Sequence, residues 1–230
     1  MKELIGAGVY TQAEASRLLD IGAARLGRWL RGHARDGAQY EPLWTPQFSL
    51  GDDRLFLGFR DLMEARIASL FIAQGISPQR VRSAIHLARD VLSDSHPLSS
   101  NRFRTDGRDI FLRITNRDTT GEEKELLLNL FRRQYEFHQI IDPFLRAVDF
   151  DDHGAPLRWW PRGRQSGVVL DPARAFGQPI DDATSVPTAV LAAAGRRFGD
   201  AMAARIYDVP IASVRRAVSF ERSVPARLAA

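Results

Sequence analysis

Two short helical segments separated by three residues constrain this chain more than any other feature. Thr11-Gln12-Ala13-Glu14 has the form of a capping box, with Thr11 at the N-cap and Glu14 at the third helical position. It predicts a helix to about Leu19 that turns Ala15, Leu18 and Leu19 inward. Asp20-Ile21-Gly22 breaks the pattern, and a second helix runs to about Arg31. Two short helices on a tight turn are the sequence form of a helix-turn-helix.

The second segment reads Ala24-Arg25-Leu26-Gly27-Arg28-Trp29-Leu30-Arg31-Gly32. Wound at about 100° per residue from Arg25, it places Leu26 and Leu30 at about 100° and 140°. Arg28 and Arg31 fall at about 300° and 240°, on the opposite side. A recognition helix needs this division, with one side on its partner and the other aimed at phosphates and base edges. An amphipathic helix with a solvated basic face divides in the same way. Trp29 lies at the boundary and reads as a core residue more readily than as a base-stacking one.

Composition narrows the class. At 230 residues the chain can form one large domain or two to three small ones, and 44% hydrophobic with 26% charged residues is a globular balance. No apolar run reaches the roughly 18 residues needed to cross a bilayer. The start, Met1-Lys2-Glu3-Leu4, lacks a signal-peptide pattern, so a cytoplasmic protein without membrane association is expected. Cysteine is absent, which excludes disulfides, thiolate metal sites and thiol nucleophiles. The net charge of +4 hints at a polyanionic partner, but lysine occurs only at Lys2 and Lys124 among 32 basic residues. Such an arginine skew can reflect genome composition, so position must carry the argument.

After the second helix, residues 33–37 and 51–54 are turn-rich, and Leu43-Trp44-Thr45 and Leu55-Phe56-Leu57 are strand-like. A hairpin placed there would be a wing. The run from Tyr10 to Gly32, with Glu14-Ala15, Leu18-Leu19, Ile21, Leu26, Trp29-Leu30 and Gly32, resembles the winged helix-turn-helix of MerR-type and excisionase-type proteins. Phe59-Arg60-Asp61-Leu62 and the helix to Gln74-Gly75-Ile76 are similar to the MerR continuation. The resemblance covers about the first 95 residues. It implies DNA binding through Arg25, Arg28 and Arg31 of the second helix, with Arg35 and Arg54 on the wing. Where MerR regulators carry Arg-Tyr-Tyr, this chain has Arg28-Trp29-Leu30.

Ser77-Pro78 gives an N-cap followed by proline at the first helical position, and helical spacing continues to about Ser93 with His86 on the surface. Asp106-Gly107 between β-prone runs predicts a hairpin over 103–112. Thr120-Gly121-Glu122-Glu123 opens a long helix bearing Leu127, Leu130, Phe131, Phe137, Ile140, Ile141, Phe144 and Leu145, which Pro143 should kink or end. Its apolar residues exceed one stripe, and a homodimer is expected because a short helix-turn-helix commonly reads two half-sites. Asp149-Phe150-Asp151-Asp152-His153 offers hard metal ligands but reads more simply as a solvated turn. Arg158-Trp159-Trp160-Pro161-Arg162 interleaves aromatics and arginines as single-strand binders do, though a strand completing a core is favoured.

The C-terminal part predicts a strand at Val168-Val169-Leu170. Helices then start at Pro187, at Asp200 and at Ile211, forming a second helix-turn-helix-like unit. Between residues 196 and 227, Arg196, Arg197, Arg205, Arg215, Arg216, Arg222 and Arg227 outweigh Asp200, Asp208 and Glu221. This end could meet DNA or an acidic protein, or be a solvated face.

The pattern from Asp171-Pro172 through Phe176-Gly177-Gln178-Pro179-Ile180, Val186-Pro187-Thr188 and Ala204-Arg205-Ile206-Tyr207-Asp208-Val209 to Phe220-Glu221 resembles a bacterial family linked to VapB-type antitoxins. The family's usual Gly-Thr-Arg element appears here as Ala183-Thr184-Ser185, so no role of that arginine transfers.

Together the resemblances imply a mainly α protein with small β-hairpins. A MerR-like winged helix-turn-helix occupies residues 1–95, a connecting and dimerising region 96–165, and an antitoxin-family helical domain 166–230. They further imply an antitoxin that neutralises a PIN-like ribonuclease toxin, with Arg205, Arg215 and Arg216 as candidate partner contacts. It would repress its own promoter by binding double-stranded DNA. A stand-alone MerR-like regulator without a toxin is the alternative. An enzyme is poorly supported, since no phosphate-binding Gly-Lys loop, His-Glu-x-x-His or Gly-x-Ser-x-Gly occurs, and no cofactor or metal is expected.

Overall fold

The computed structural model describes residues 6–35, 37–48, 54–103 and 141–224. The described part is mainly helical with small antiparallel sheets. Near the N-terminus come β1 (Tyr10–Thr11), α1 (Gln12–Leu19) and α2 (Ala23–Arg31), then β2 (His33–Arg35) and β3 (Ala38–Tyr40), and β4 (Phe56–Leu57). Next follow α3 (Phe59–Ala73) and α4 (Pro78–Leu92). A four-stranded meander follows: β5 (Val148–Phe150), β6 (Pro156–Trp159), β7 (Val168–Leu170) and β8 (Pro179–Asp181). The described chain closes with α5 (Thr188–Phe198), α6 (Asp200–Tyr207) and α7 (Ile211–Ser223).

The local signals that start these helices are present as hydrogen bonds. Thr11 caps α1 in a reciprocal box with Glu14, and Asp20 ends it in the left-handed conformation at φ 55°. Ser77 caps α4 ahead of Pro78. Neither α1 nor α2 is long enough to be stable alone, so both depend on packing. Ala15, Leu26, Trp29 and Leu30 enter a core shared with α3, α4, Phe144, Trp159 and Leu170.

The hairpin departs from the sequence expectation. Its strands are β2 and β3, in register His33 with Tyr40 and Arg35 with Ala38, rather than Leu43–Thr45 against Leu55–Leu57. Gly37, at φ +77°, supplies the left-handed residue that a two-residue loop demands. Leu43 and Trp44 are instead buried in the core, where the Leu43 amide donates to the Trp29 carbonyl at 2.7 Å. Phe56–Leu57 pairs antiparallel with Tyr10–Thr11 and so ties the chain start to the start of α3.

Two fully buried carboxylates hold α3. Asp61 accepts from Trp44 Nε1 (2.9 Å), the amides of Gln47 (2.9 Å) and Gly58 (2.8 Å), and lies 2.9 Å from His96 Nε2. Glu64 accepts from the amides of Leu98 (3.2 Å) and Ser99 (2.8 Å). Arg66, on the same helix, lies between Phe144 and Trp159, 4.9 and 4.5 Å from their ring centroids, and its burial lowers its pKa to about 10.

The C-terminal helices pack around Leu191, Ala192, Ala203, Ala204, Val214 and Ala217. α7 meets α1 through Arg17 and Glu221 (3.0 Å), and the turn before β8 meets β1 through the Tyr10 hydroxyl, which donates to the Gly177 carbonyl at 2.7 Å. Burial, then the nearby carboxylates Glu14 and Asp171, pushes the Tyr10 phenol well above its ordinary range. The expected hairpin over 103–112 and most of the helix from Thr120 lie outside the described residues. The described end, residues 141–145, is helical through Pro143 and buries Ile141, Phe144 and Leu145. Among the described residues no helix is long and apolar enough to cross a membrane.

Candidate nucleic-acid interface

α2 presents two chemically opposite sides. Leu26, Trp29 and Leu30 are buried, while Arg25, Arg28 and Arg31 are exposed. Arg28 and Arg31 occupy its last turn, where positive charge complements the carbonyl end of the helix dipole. The helix is fixed against α1 by Gln12, whose Nε2 donates to the Ala23 carbonyl at 2.6 Å. It passes directly into the hairpin through Gly32, at φ 72°. A Cβ there would also run into the carbonyl oxygen of Tyr40.

Arg25 and Arg28 line a groove of about 540 Å³ between α2, the hairpin, the end of α3 and the start of α4. His33 and Tyr40 form one wall as a stacked pair, with centroids 4.8 Å apart and planes 10° from parallel. Pro78, Gln79 and Arg82 of α4 form the other, above an apolar floor of Trp29, Leu43 and Ile72. Glu41 is the one acid among the lining residues. Buried His33 Nδ1 and Arg82 Nε find no hydrogen-bond partner among the described residues. Three guanidinium groups around a groove suit an anionic, extended ligand.

Of the other residues singled out from sequence, Arg31 and Arg54 are exposed but do not line this groove. Arg54 precedes β4, with its guanidinium 5.7 Å from the Phe56 ring, and is not on the β2–β3 hairpin. Arg35 ends β2 at the hairpin loop, and its side chain lies outside the described part. Sequence reasoning missed Arg82, His33 and Tyr40. The helical spacing of α4 shows which side is apolar, but which neighbour its polar start faces depends on tertiary pairing.

The C-terminal arginines differ among themselves. Arg205 is exposed, and Arg215 is exposed with Nε donating to Asp200 at 3.3 Å. Arg216 is drawn inward, donating to fully buried Asp181 at 2.8 Å and to Ser213 at 3.1 Å. It holds α7 to the end of β8.

The Asp149–His153 run is the end of β5, at Asp149 and Phe150, and the start of the turn that leads to β6. Asp151 accepts from the amides of His153 (2.9 Å) and Ala155 (2.8 Å). Asp149 accepts from Trp160 Nε1 at 3.0 Å and pairs with Arg164. Although its partial burial acts upward, the Arg164 and Trp160 bonds hold its carboxyl below the ordinary value. Trp159, the last residue of β6, and Trp160, just after it, are both buried, in two separate clusters. Among the described residues no three potential ligands gather for a metal ion.

The geometry therefore defines a mainly helical protein with a basic helix exposed beside a groove. No family model matches the chain. It is 32% identical over 192 residues to the Mycobacterium tuberculosis protein named "Putative antitoxin VapB45", across 79% of this chain and 80% of that one. The crystal structure of Rv2018 from Mycobacterium tuberculosis matches with a TM-score of 0.72 at 27% identity, covering 91% of this chain and 96% of that chain. At this identity and coverage, the chain belongs to the family of the VapB45 antitoxin.

Proposed function

We propose that this protein is an antitoxin that holds a PIN-like ribonuclease toxin inactive and represses its own promoter by binding double-stranded DNA as a homodimer. The observation that carries the DNA half is the partition of α2, whose arginines point outward while Leu26, Trp29 and Leu30 anchor it. An α-helix is about 10–12 Å across with its side chains, which a major groove about 12 Å wide admits. In this reading residues 1–95 form a winged helix-turn-helix with β2–β3 as its wing. Arg25, Arg28 and Arg31 meet phosphates and base edges. Arg35 and Arg54 add flanking charge, as does Arg82 from the far wall of the groove.

The antitoxin half is supported by the VapB45 relationship. The toxin's active site would be rich in carboxylates, and an arginine entering it would neutralise the charge that holds metal. The protein acts in the cytoplasm by binding alone, without catalysis, cofactor or metal.

A two-part assay in cells tests this. The chain is co-expressed with the adjacent gene while a reporter reads its own promoter. Wild type should restore growth and silence the reporter, whereas Arg28→Ala should restore growth but release the reporter. Wild type that leaves the neighbour's toxicity intact would exclude the antitoxin role. Arg28→Ala repressing as well as wild type would exclude the assigned DNA contact.

A further inference from the structure

α6 carries its large apolar side chains on the side facing away from its neighbours. Its inward residues are Ala203 and Ala204, both buried against α5 and α7. Met202 is 49% exposed and Ile206 53% exposed, and Phe198, just before α6, is 50% exposed. At roughly 100° per residue Met202 and Ile206 lie about 40° apart, with exposed Arg205 about 60° to the other side of Met202. Single exposed apolar residues are ordinary, but two on one face of α6, with a third at the adjoining end of α5, mark a contact surface.

The rim is basic. Arg196 and Arg197 are exposed at the end of α5, and the Arg197 guanidinium sits 5.1 Å from the Phe198 ring centroid. Asp200, at the start of α6, is already engaged by Arg215. A symmetric pairing of two copies through this face would set the same arginines against each other. DNA gains nothing from methionine and isoleucine beside its phosphates. An acidic protein with an apolar patch satisfies both the centre and the rim.

We propose that the outer face of α6 is the surface on which the toxin docks, Met202, Ile206 and Phe198 covering an apolar patch and Arg196, Arg197 and Arg205 pairing with carboxylates around it. This rests on the antitoxin reading above. It retains Arg205 as a partner contact and removes Arg216, whose guanidinium belongs to the Asp181 pair.

The test is calorimetric titration of the full-length chain with the purified product of the adjacent gene. Wild type should bind, and Met202→Glu/Ile206→Glu should bind at least 100-fold more weakly with an unchanged far-ultraviolet dichroism spectrum. Arg196→Glu/Arg197→Glu, which leaves the apolar residues in place, should weaken binding at least tenfold. Gln165→Glu, on an exposed turn between β6 and β7, should bind as wild type does. If wild type binds but both double variants bind equally well, the docking surface is wrong while the antitoxin reading stands. If wild type does not bind, the antitoxin reading falls and the surface with it. Variants that lose only self-association or only promoter binding also overturn the proposal, assigning the face to a second copy or to DNA.

Discussion

Glu64 should make the stability of this fold fall with rising pH, and replacing it with glutamine should invert the order of stability between acid and base. The carboxyl is fully buried and accepts the Leu98 and Ser99 amides. Burial dominates over those two donors and the Arg60 charge, and pushes its pKa from 4.5 up to about 8. A folded-state pKa above the unfolded one means that the fold holds this proton more tightly. The stabilisation is therefore complete below about pH 4.5 and is lost as pH rises through about 8. At about 1.4 kcal/mol for each pH unit of that window, the loss is on the order of 5 kcal/mol. The glutamine variant would remove the slope but turn an amide N–H₂ toward a backbone donor, at a pH-independent cost of about 1–3 kcal/mol. Urea unfolding followed by tryptophan fluorescence from pH 5 to pH 9 should show Glu64→Gln less stable at the acid end and more stable at the basic end. A wild type-to-variant difference that stays constant across this range would refute the reasoning.

Three further outcomes follow from the packing. Gly32→Ala combines a positive φ with a Cβ directed at the Tyr40 carbonyl, and should lower stability by about 2 kcal/mol or more and weaken promoter binding; an unchanged melting temperature would contradict the hairpin geometry. Asp61→Asn places an N–H₂ group among donors that all need an acceptor, and should cost roughly 3–5 kcal/mol in chemical unfolding. Arg66→Ala removes a guanidinium held between Phe144 and Trp159 and should cost about 1–3 kcal/mol in thermal unfolding, whereas a loss within a few tenths would show that the two ring contacts contribute little.

Features encoded within a few consecutive residues were legible in the sequence. The Thr11–Glu14 box, the Ser77-Pro78 start, the break at Asp20-Ile21-Gly22 and the three C-terminal helices are all present, within a few residues at their ends. The inward side of α2 was legible from angle alone, and Trp29 joins the core as expected. Pairings between distant segments were not legible. Nothing local tells Phe56–Leu57 to pair with Tyr10–Thr11, and the strand-like look of Leu43-Trp44 records only their burial. The groove escaped for the same reason, because Arg82 reaches it only through the way α3 and α4 pack. Asp61 and Arg216 look like surface charges in the sequence, yet each lies in a hydrogen-bond network whose partners are 14 or more residues away for Asp61, apart from Gly58, and 35 away for the Arg216–Asp181 pair.

The central claim is that the exposed arginines of α2 contact DNA, and the salt dependence of promoter binding tests it most directly. Fluorescence anisotropy on a duplex of the protein's own promoter should give a linear fall of log affinity with log salt, and each phosphate contact removed should reduce the slope by about 0.9. Arg25→Ala/Arg28→Ala should therefore bind more weakly and lose roughly two units of slope if both side chains meet phosphates. Wild-type affinity and an unchanged slope in that double variant would contradict the account.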